Sequence, residues 1–114
     1  MREAKLYLLD IKNAIRKIQK YVADVSYEQF SQNDEKIDAV IRNLEIIGEA
    51  ARCIPQRIKQ KYSGINWQDI AGMRNIIAHE YFGVDLAIIW KTIKENLPEL
   101  GNKIEQIIVE LDKK

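Results

Sequence analysis

The only histidine of the chain, His79, lies in a short segment that also contains Arg74 and Tyr81. Histidine exchanges protons near neutral pH because its unperturbed pKa is about 6.5. Arginine carries a permanent planar cation that matches the oxygens of a phosphate. The pair is therefore suited to phosphodiester cleavage, in which one side chain moves protons and the other stabilises charge developing on the phosphate. The same segment also fits a purely structural interpretation, with His79 near a helix end, Arg74 on the surface and Tyr81 in packing.

A straight helix does not aim these side chains at one point. At about 100° per residue, Arg74 and Tyr81 lie about 20° apart, whereas His79 lies about 140° from Arg74. Either the helix is distorted near Gly83, or groups from elsewhere complete the site.

Two further groups of charged residues are candidates for a supporting role. Arg42, Glu45 and Glu49 recur at helical spacing. They form either a solvated face with ion pairs or a stripe that faces the His79 segment and orients Arg74 or His79. The stretch Arg52–Lys61 contains four cations and no acid. It is suited to contact a phosphate backbone, and it is equally compatible with an ordinary solvated surface.

Apolar residues at alternating three- and four-residue steps predict that helices position these groups. No segment alternates at period two, so we expect an all-α, up-and-down bundle of about five helices forming a single domain over residues 1–114. The segment Ser26–Gln32 is expected to be a loop or a single turn, and Pro98 is expected to open or kink the last helix. The predicted helical segments are 3–23, 34–53, 55–62, one from Asn66 to Gly83, one that Asp85 caps, and the segment after Pro98.

Composition excludes several classes of protein. One cysteine in 114 residues cannot form an internal disulfide, and one His with one Cys makes a structural zinc site improbable. We find neither a signal peptide nor an apolar run long enough to span a membrane, and we expect a cytoplasmic protein. The net charge of +1 gives no global signature of a nucleic-acid-binding protein, although positive potential can be local.

Several segments together resemble the HEPN superfamily, and specifically its HepT-like toxins. Arg74–Tyr81 resembles the family's motif of Arg, four residues, His, one residue and Tyr, and Arg42–Ala51 resembles the family's second-helix signature. The resemblance continues, in the expected order, through Asn66–Met73, Val84–Trp90 and Leu97–Leu100.

This resemblance implies a helical homodimer that acts as a ribonuclease without a metal or other cofactor. Arg74 and His79 would be catalytic, and Asn75 would help to shape the site. A cleft shared by two chains would also explain how Arg74 and His79 reach one point although they face different sides of a helix, because Arg74 would come from one chain and His79 from the other.

The resemblance further implies a toxin–antitoxin system whose antitoxin is a minimal nucleotidyltransferase. That enzyme would transfer AMP to Tyr81, and the added negative charge would repel RNA. Two other readings stay open: a non-catalytic helical module that binds a nucleotide or a nucleotidyltransferase, and a helical dimerisation protein without a ligand.

Overall fold

Every regular element in the computed structural model, which describes residues 2–71 and 85–113, is helical. This confirms the predicted all-α class. Helix α5 is helical over residues 67–71, and a π-helical turn, Thr92–Asn96, connects α6 to α7. The other helices are α1 (Ala4–Tyr21), α2 (Tyr27–Ser31), α3 (Asp34–Cys53), α4 (Gln56–Lys61), α6 (Leu86–Lys91) and α7 (Leu97–Asp112).

Helix α1 lies at the centre of the bundle and packs on both α3 and α7. Lys5 pairs with Asp112 at 2.6 Å and Lys12 pairs with Glu105 at 2.6 Å, so residue numbers rise along α1 as they fall along α7. The Lys36 Nζ at the start of α3 donates to the carbonyl oxygen of Tyr21 at the end of α1. Both neighbours therefore run antiparallel to α1, as expected for an up-and-down bundle.

The apolar positions predicted from spacing form the core of this bundle. Each fully buried Leu or Ile contributes roughly 1.5–3 kcal/mol through removal of apolar surface from water, so the repeated spacing accounts for much of the driving force. The buried residues that recur at this three- and four-residue spacing are Leu8, Ile11, Ile15, Ile18, Val22, Val40, Leu44, Ile47, Ala51, Ile54, Ile89, Ile93, Leu97, Ile104, Ile107 and Ile108.

Polar side chains cap the starts of two helices, and Asp85 is the one that the sequence analysis predicts. Asn33 Oδ1 accepts from the Lys36 amide and Asp85 Oδ1 accepts from the Ala87 amide, which satisfies donors that have no partner within the helix. The Ser26–Gln32 segment contains a helix of five residues, so the single turn was the correct alternative. The capping box of Ser26 and Gln29 explains why it forms.

Pro98 lies inside a helical run that continues from α6 into α7. Proline lacks an amide hydrogen, and its ring would collide with the carbonyl oxygen of Lys94 in a regular α-helix. The π-turn directly before α7 widens the backbone there, and Thr92 Oγ1 donates to the carbonyl oxygen of Ile88 at 3.0 Å. Proline is therefore accommodated by a local distortion of the helix rather than by a break.

Among the described residues, no helix combines the length and the apolar character needed to cross a bilayer.

Candidate functional site

The motif segment, Arg74–Tyr81, lies within residues 72–84, which are outside the described residues. Arg74, Asn75, His79 and Tyr81 all belong to it, so the positions predicted for them stay predictions. The described chain defines its two flanks, with Ala71 in α5 on one side and the helix cap Asp85 on the other.

We call the charged residues Arg42, Glu45 and Glu49 of α3 the α3 stripe. This stripe lines one cleft of about 410 Å³, which we call the α1–α3 cleft. Arg42, Glu45 and Glu49 therefore share a concave surface instead of covering a flat, fully solvated face. Their predicted position opposite His79 involves a residue outside the described ranges. The residues lining the cleft are Arg2, Tyr7, Asp10, Arg42, Glu45, Ile46, Glu49 and Ala50.

Three residues of this cleft, Arg2, Tyr7 and Asp10, were not anticipated from the sequence. Arg2 donates to Asp10 in a bidentate arrangement, at 2.5 and 3.3 Å, and its guanidinium lies 4.9 Å from the centre of the Tyr7 ring. The hydrogen bond to Asp10 raises the pKa of Arg2 above its ordinary value. A sequence signal that could have found two of them is the spacing of Tyr7 and Asp10. Residues three apart share one helix face, and this face lies beside the apolar positions Leu8 and Ile11.

Glu49 has two carboxylate oxygens in different environments. Its Oε1 accepts from Arg52 at 2.7 Å near the surface, whereas its Oε2 is buried. The hydrogen bond from Arg52 to Glu49 raises the pKa of the arginine. Glu49 thus lines the α1–α3 cleft with one carboxylate oxygen buried and the other bonded to Arg52.

A second and larger cleft, of about 790 Å³, lies beside α4, and we call it the α4 cleft. Helix α3 contributes Arg52, α4 contributes Lys59, and the start of α5 contributes Trp67. Trp67 is buried, and its Nε1 donates to the carbonyl oxygen of Tyr62, which ties α5 to the end of α4. The described residues that line it are Arg52, Gln56, Lys59, Gln60, Ser63, Gly64, Ile65, Asn66, Trp67, Gln68 and Ala71.

The basic stretch Arg52–Lys61 is divided between two environments. Arg52 and Lys59 line the α4 cleft, whereas the Lys61 ammonium lies 3.8 Å from Glu110 of α7. Successive residues of a helix differ by about 100° in direction, so Lys59 and Lys61 point to different neighbours. The sequence analysis treated these cations as one basic stretch, whereas in the fold Lys59 and Lys61 lie in different environments.

Within residues 2–71 and 85–113, no three side chains of His, Cys, Asp or Glu are grouped so that they could hold a metal ion.

Comparison with known proteins gives consistent matches over nearly the whole chain. The family model described as "Ribonuclease HepT-like" matches residues 11–107. A candidate RNase of Methanocaldococcus jannaschii is 42% identical over 113 residues, covering 99% of this chain and 97% of that protein. The probable ribonuclease HepT of Thermococcus cleftensis is 42% identical over 106 residues, covering 93% and 96% of the two chains.

A candidate RNase of Caldanaerobacter subterraneus subsp. tengcongensis is 38% identical over 108 residues, which cover 95% of this chain and 96% of that protein. No solved structure gives a significant match. The family match includes both the motif segment and the α3 stripe, and it agrees with the all-α fold. The chain belongs to the HepT-like ribonuclease family.

Proposed function

We propose that this chain is the toxin of a toxin–antitoxin system and that it cleaves RNA in the cytoplasm without a metal ion, at a cleft shared by two copies of the chain. The observation that carries the proposal is the family match over residues 11–107, which includes the Arg74–Tyr81 motif. The ribonuclease names of relatives about 40% identical to the chain support the same reaction class.

In the proposed reaction, the ribose 2′-hydroxyl attacks the adjacent phosphorus. His79 accepts the hydroxyl proton as the new oxygen–phosphorus bond forms, and the bond to the 5′-oxygen of the next nucleotide breaks. The leaving oxygen takes up a proton from water and His79 releases its proton to solvent, so the products are a 2′,3′-cyclic phosphate and a 5′-hydroxyl. Arg74 stabilises the negative charge on the phosphate oxygens in the transition state, and Asn75 shapes the site around it.

The α3 stripe has a positioning role in this proposal. Arg42, Glu45 and Glu49 line one cleft, in which Glu49 combines a buried oxygen with an ion-paired one. A carboxylate held in this way is suited to orient a histidine or an arginine of the motif segment, because its own direction is set by α3.

The proposed partner is a small nucleotidyltransferase that acts as antitoxin. It would transfer AMP from ATP to the Tyr81 oxygen, forming a phosphorus–oxygen bond and releasing pyrophosphate. The added phosphate brings negative charge to the RNA path, and repulsion between phosphates would block substrate binding.

Cleavage of single-stranded RNA in the presence of a chelator tests the catalytic assignment. We expect a loss of about 100- to 10,000-fold for His79→Ala and of about 100- to 1,000-fold for Arg74→Ala. Arg16→Ala, which removes an exposed arginine of α1, is the control. Undiminished cleavage by either motif variant, or cleavage that requires an added metal, would contradict the proposal; a wild-type chain that binds RNA without cutting it would favour a binding module.

A further inference from the structure

The α4 cleft combines positive charge with amide side chains. Among the described residues that line it, Arg52 and Lys59 are the charged ones, and none is an Asp or a Glu. The amide-bearing residues of the lining are Gln56, Gln60, Asn66 and Gln68. Cations attract phosphates regardless of sequence, and amides can donate to or accept from sugars and base edges. This combination is suited to a strand of RNA.

Two other clefts contain acidic side chains. The turn formed by Gly64, Ile65 and Asn66 also borders a cleft of about 290 Å³, which is lined by Asp69 and Glu99. The described residues that line the α1–α3 cleft include the carboxylates of Asp10, Glu45 and Glu49. Among the clefts described in residues 2–71 and 85–113, the absence of acid therefore distinguishes the α4 cleft from these two.

Arg52 retains donors for a ligand although it is ion-paired. Its guanidinium has N–H groups on three nitrogens, and the bond to Glu49 uses one nitrogen. The Arg52 side chain is 63% exposed, so the remaining donors are accessible from solvent.

The α4 cleft is also joined closely to the proposed catalytic segment. Ala71 lines the cleft, and three residue steps separate it from Arg74 along the chain. Three extended residues span at most about 11 Å. The chain connection therefore keeps Arg74 within that distance of Ala71, one of the residues that line the cleft.

We propose that the α4 cleft binds the RNA strand next to the scissile bond, with Lys59 and Arg52 contacting its phosphates and the amide side chains contacting its sugars and bases. The volume of about 790 Å³ is in the range of about 300–1,000 Å³ that ligand sites usually occupy. This inference rests on the proposed function, since it assigns substrate-binding residues to the same reaction.

Binding of a labelled single-stranded RNA by chains that also contain His79→Ala tests the inference, because the RNA is then bound without being cut. Lys59→Gln removes one positive charge from the cleft. Lys61→Gln removes the same charge from the same helix but beside Glu110, and it is the matched control. We expect Lys59→Gln to weaken binding several-fold at low salt. We also expect it to reduce the slope of log affinity against log salt by about 0.7, with Lys61→Gln close to the parent chain.

Equal effects of the two substitutions would overturn the inference, because they would indicate general attraction between charges. A Lys59→Gln chain with unchanged RNA affinity, including one that fails instead to bind the antitoxin, would also overturn it. Melting temperatures of both variants verify that each is folded.

A second measurement separates this inference from the proposed function. In chains that retain His79, Lys59→Gln should raise KM for a long RNA more than KM for a dinucleotide, and Lys61→Gln should not. If the wild-type chain cuts no RNA while its binding depends on Lys59, the cleft assignment stands and the proposed reaction fails. If the wild-type chain cuts RNA and Lys59→Gln changes neither affinity nor KM, the cleft assignment alone fails.

Discussion

Glu49 and Arg52 form an ion pair at 2.7 Å across one turn of α3, and the two residues line different clefts. Glu49 belongs to the α1–α3 cleft and Arg52 to the α4 cleft. The pair therefore forms the border between the proposed positioning residues and the proposed RNA-binding surface. Because the side chains of Arg52 and Glu49 are 63% and 43% exposed, water screens the pair, and its value is more in setting orientation than in holding the fold together.

Glu49→Gln should reduce kcat for RNA cleavage by up to about 100-fold, the cost of displacing a reacting group by about 1 Å. It should also move the histidine limb of the pH–rate profile to lower pH, because removal of a nearby negative charge lowers a histidine pKa. Glu99→Gln removes a carboxylate that pairs with Lys103 on α7, and it serves as the control. A profile that does not move would argue against a position for Glu49 near His79.

Two inactive variants should complement each other when they are mixed and allowed to exchange subunits. In a dimer of one Arg74→Ala chain and one His79→Ala chain, one of the two shared sites would contain both native residues. Partial recovery of RNA cleavage, measured against each variant alone, would support a site built from Arg74 of one chain and His79 of the other. Failure to recover in a verified mixed dimer would mean that both residues act within one chain.

Ile47→Ala should lower the free energy of unfolding by about 2–5 kcal/mol, because a cavity would replace a fully buried side chain of α3. Ile88→Ala, at a position 64% exposed, should change it by less than about 0.5 kcal/mol. Urea denaturation followed by circular dichroism measures both. Similar losses for the two variants would contradict the core assignment.

Asp85→Ala should destabilise the chain by about 0.5–2 kcal/mol. The Asp85 carboxylate accepts from the amides of Ala87 and Ile88, and alanine would leave these donors without that partner. Glu3 occupies the equivalent position before α1 without a side-chain cap, so Glu3→Ala tests the position without the hydrogen bond. Thermal unfolding of the two variants should therefore differ, with the larger loss at Asp85.

The contribution of Tyr62 to stability should disappear at alkaline pH. Its hydroxyl donates to Glu110, and this bond raises the pKa of the phenol above its ordinary value, with desolvation and the charge of Glu110 adding to the effect. Because the folded state holds this proton more tightly, the contact stabilises the fold below pH 10, and its contribution is lost as the pH rises through the folded-state pKa.

The difference in unfolding free energy between the wild-type chain and Tyr62→Phe measures this loss. It should shrink as the pH passes above the phenol's ordinary pKa. Tyr27→Phe, which alters an exposed ring packed edge-on against Trp90, is the control. A difference that stays constant over the titration would contradict the assigned contact.

Local patterns were sufficient to predict the helical class, the apolar faces and several helix starts. The helical hydrogen bond joins residues four apart, so the periodicity that includes Leu8, Ile11 and Ile15 directly reports which face turns inward. Caps are equally local, because Asn33 and Asp85 bond to amides within three residues. The family motif around His79 is likewise continuous in the chain, and for this reason the resemblance to HepT-like ribonucleases could be seen in the sequence.

Which helices meet, and in what order along their lengths, was decided by the tertiary structure. Arg2 and Asp10 join Glu49 in one cleft because the buried side chains of α1 and α3 pack antiparallel, and no local spacing contains that relation. The separation of Lys59 from Lys61 depends on the position of Glu110 in α7, which is about half the chain away. Periodicity specifies the direction of a side chain around its own helix. Its neighbours are specified only when distant apolar faces pack together, and that packing joins residues far apart in sequence.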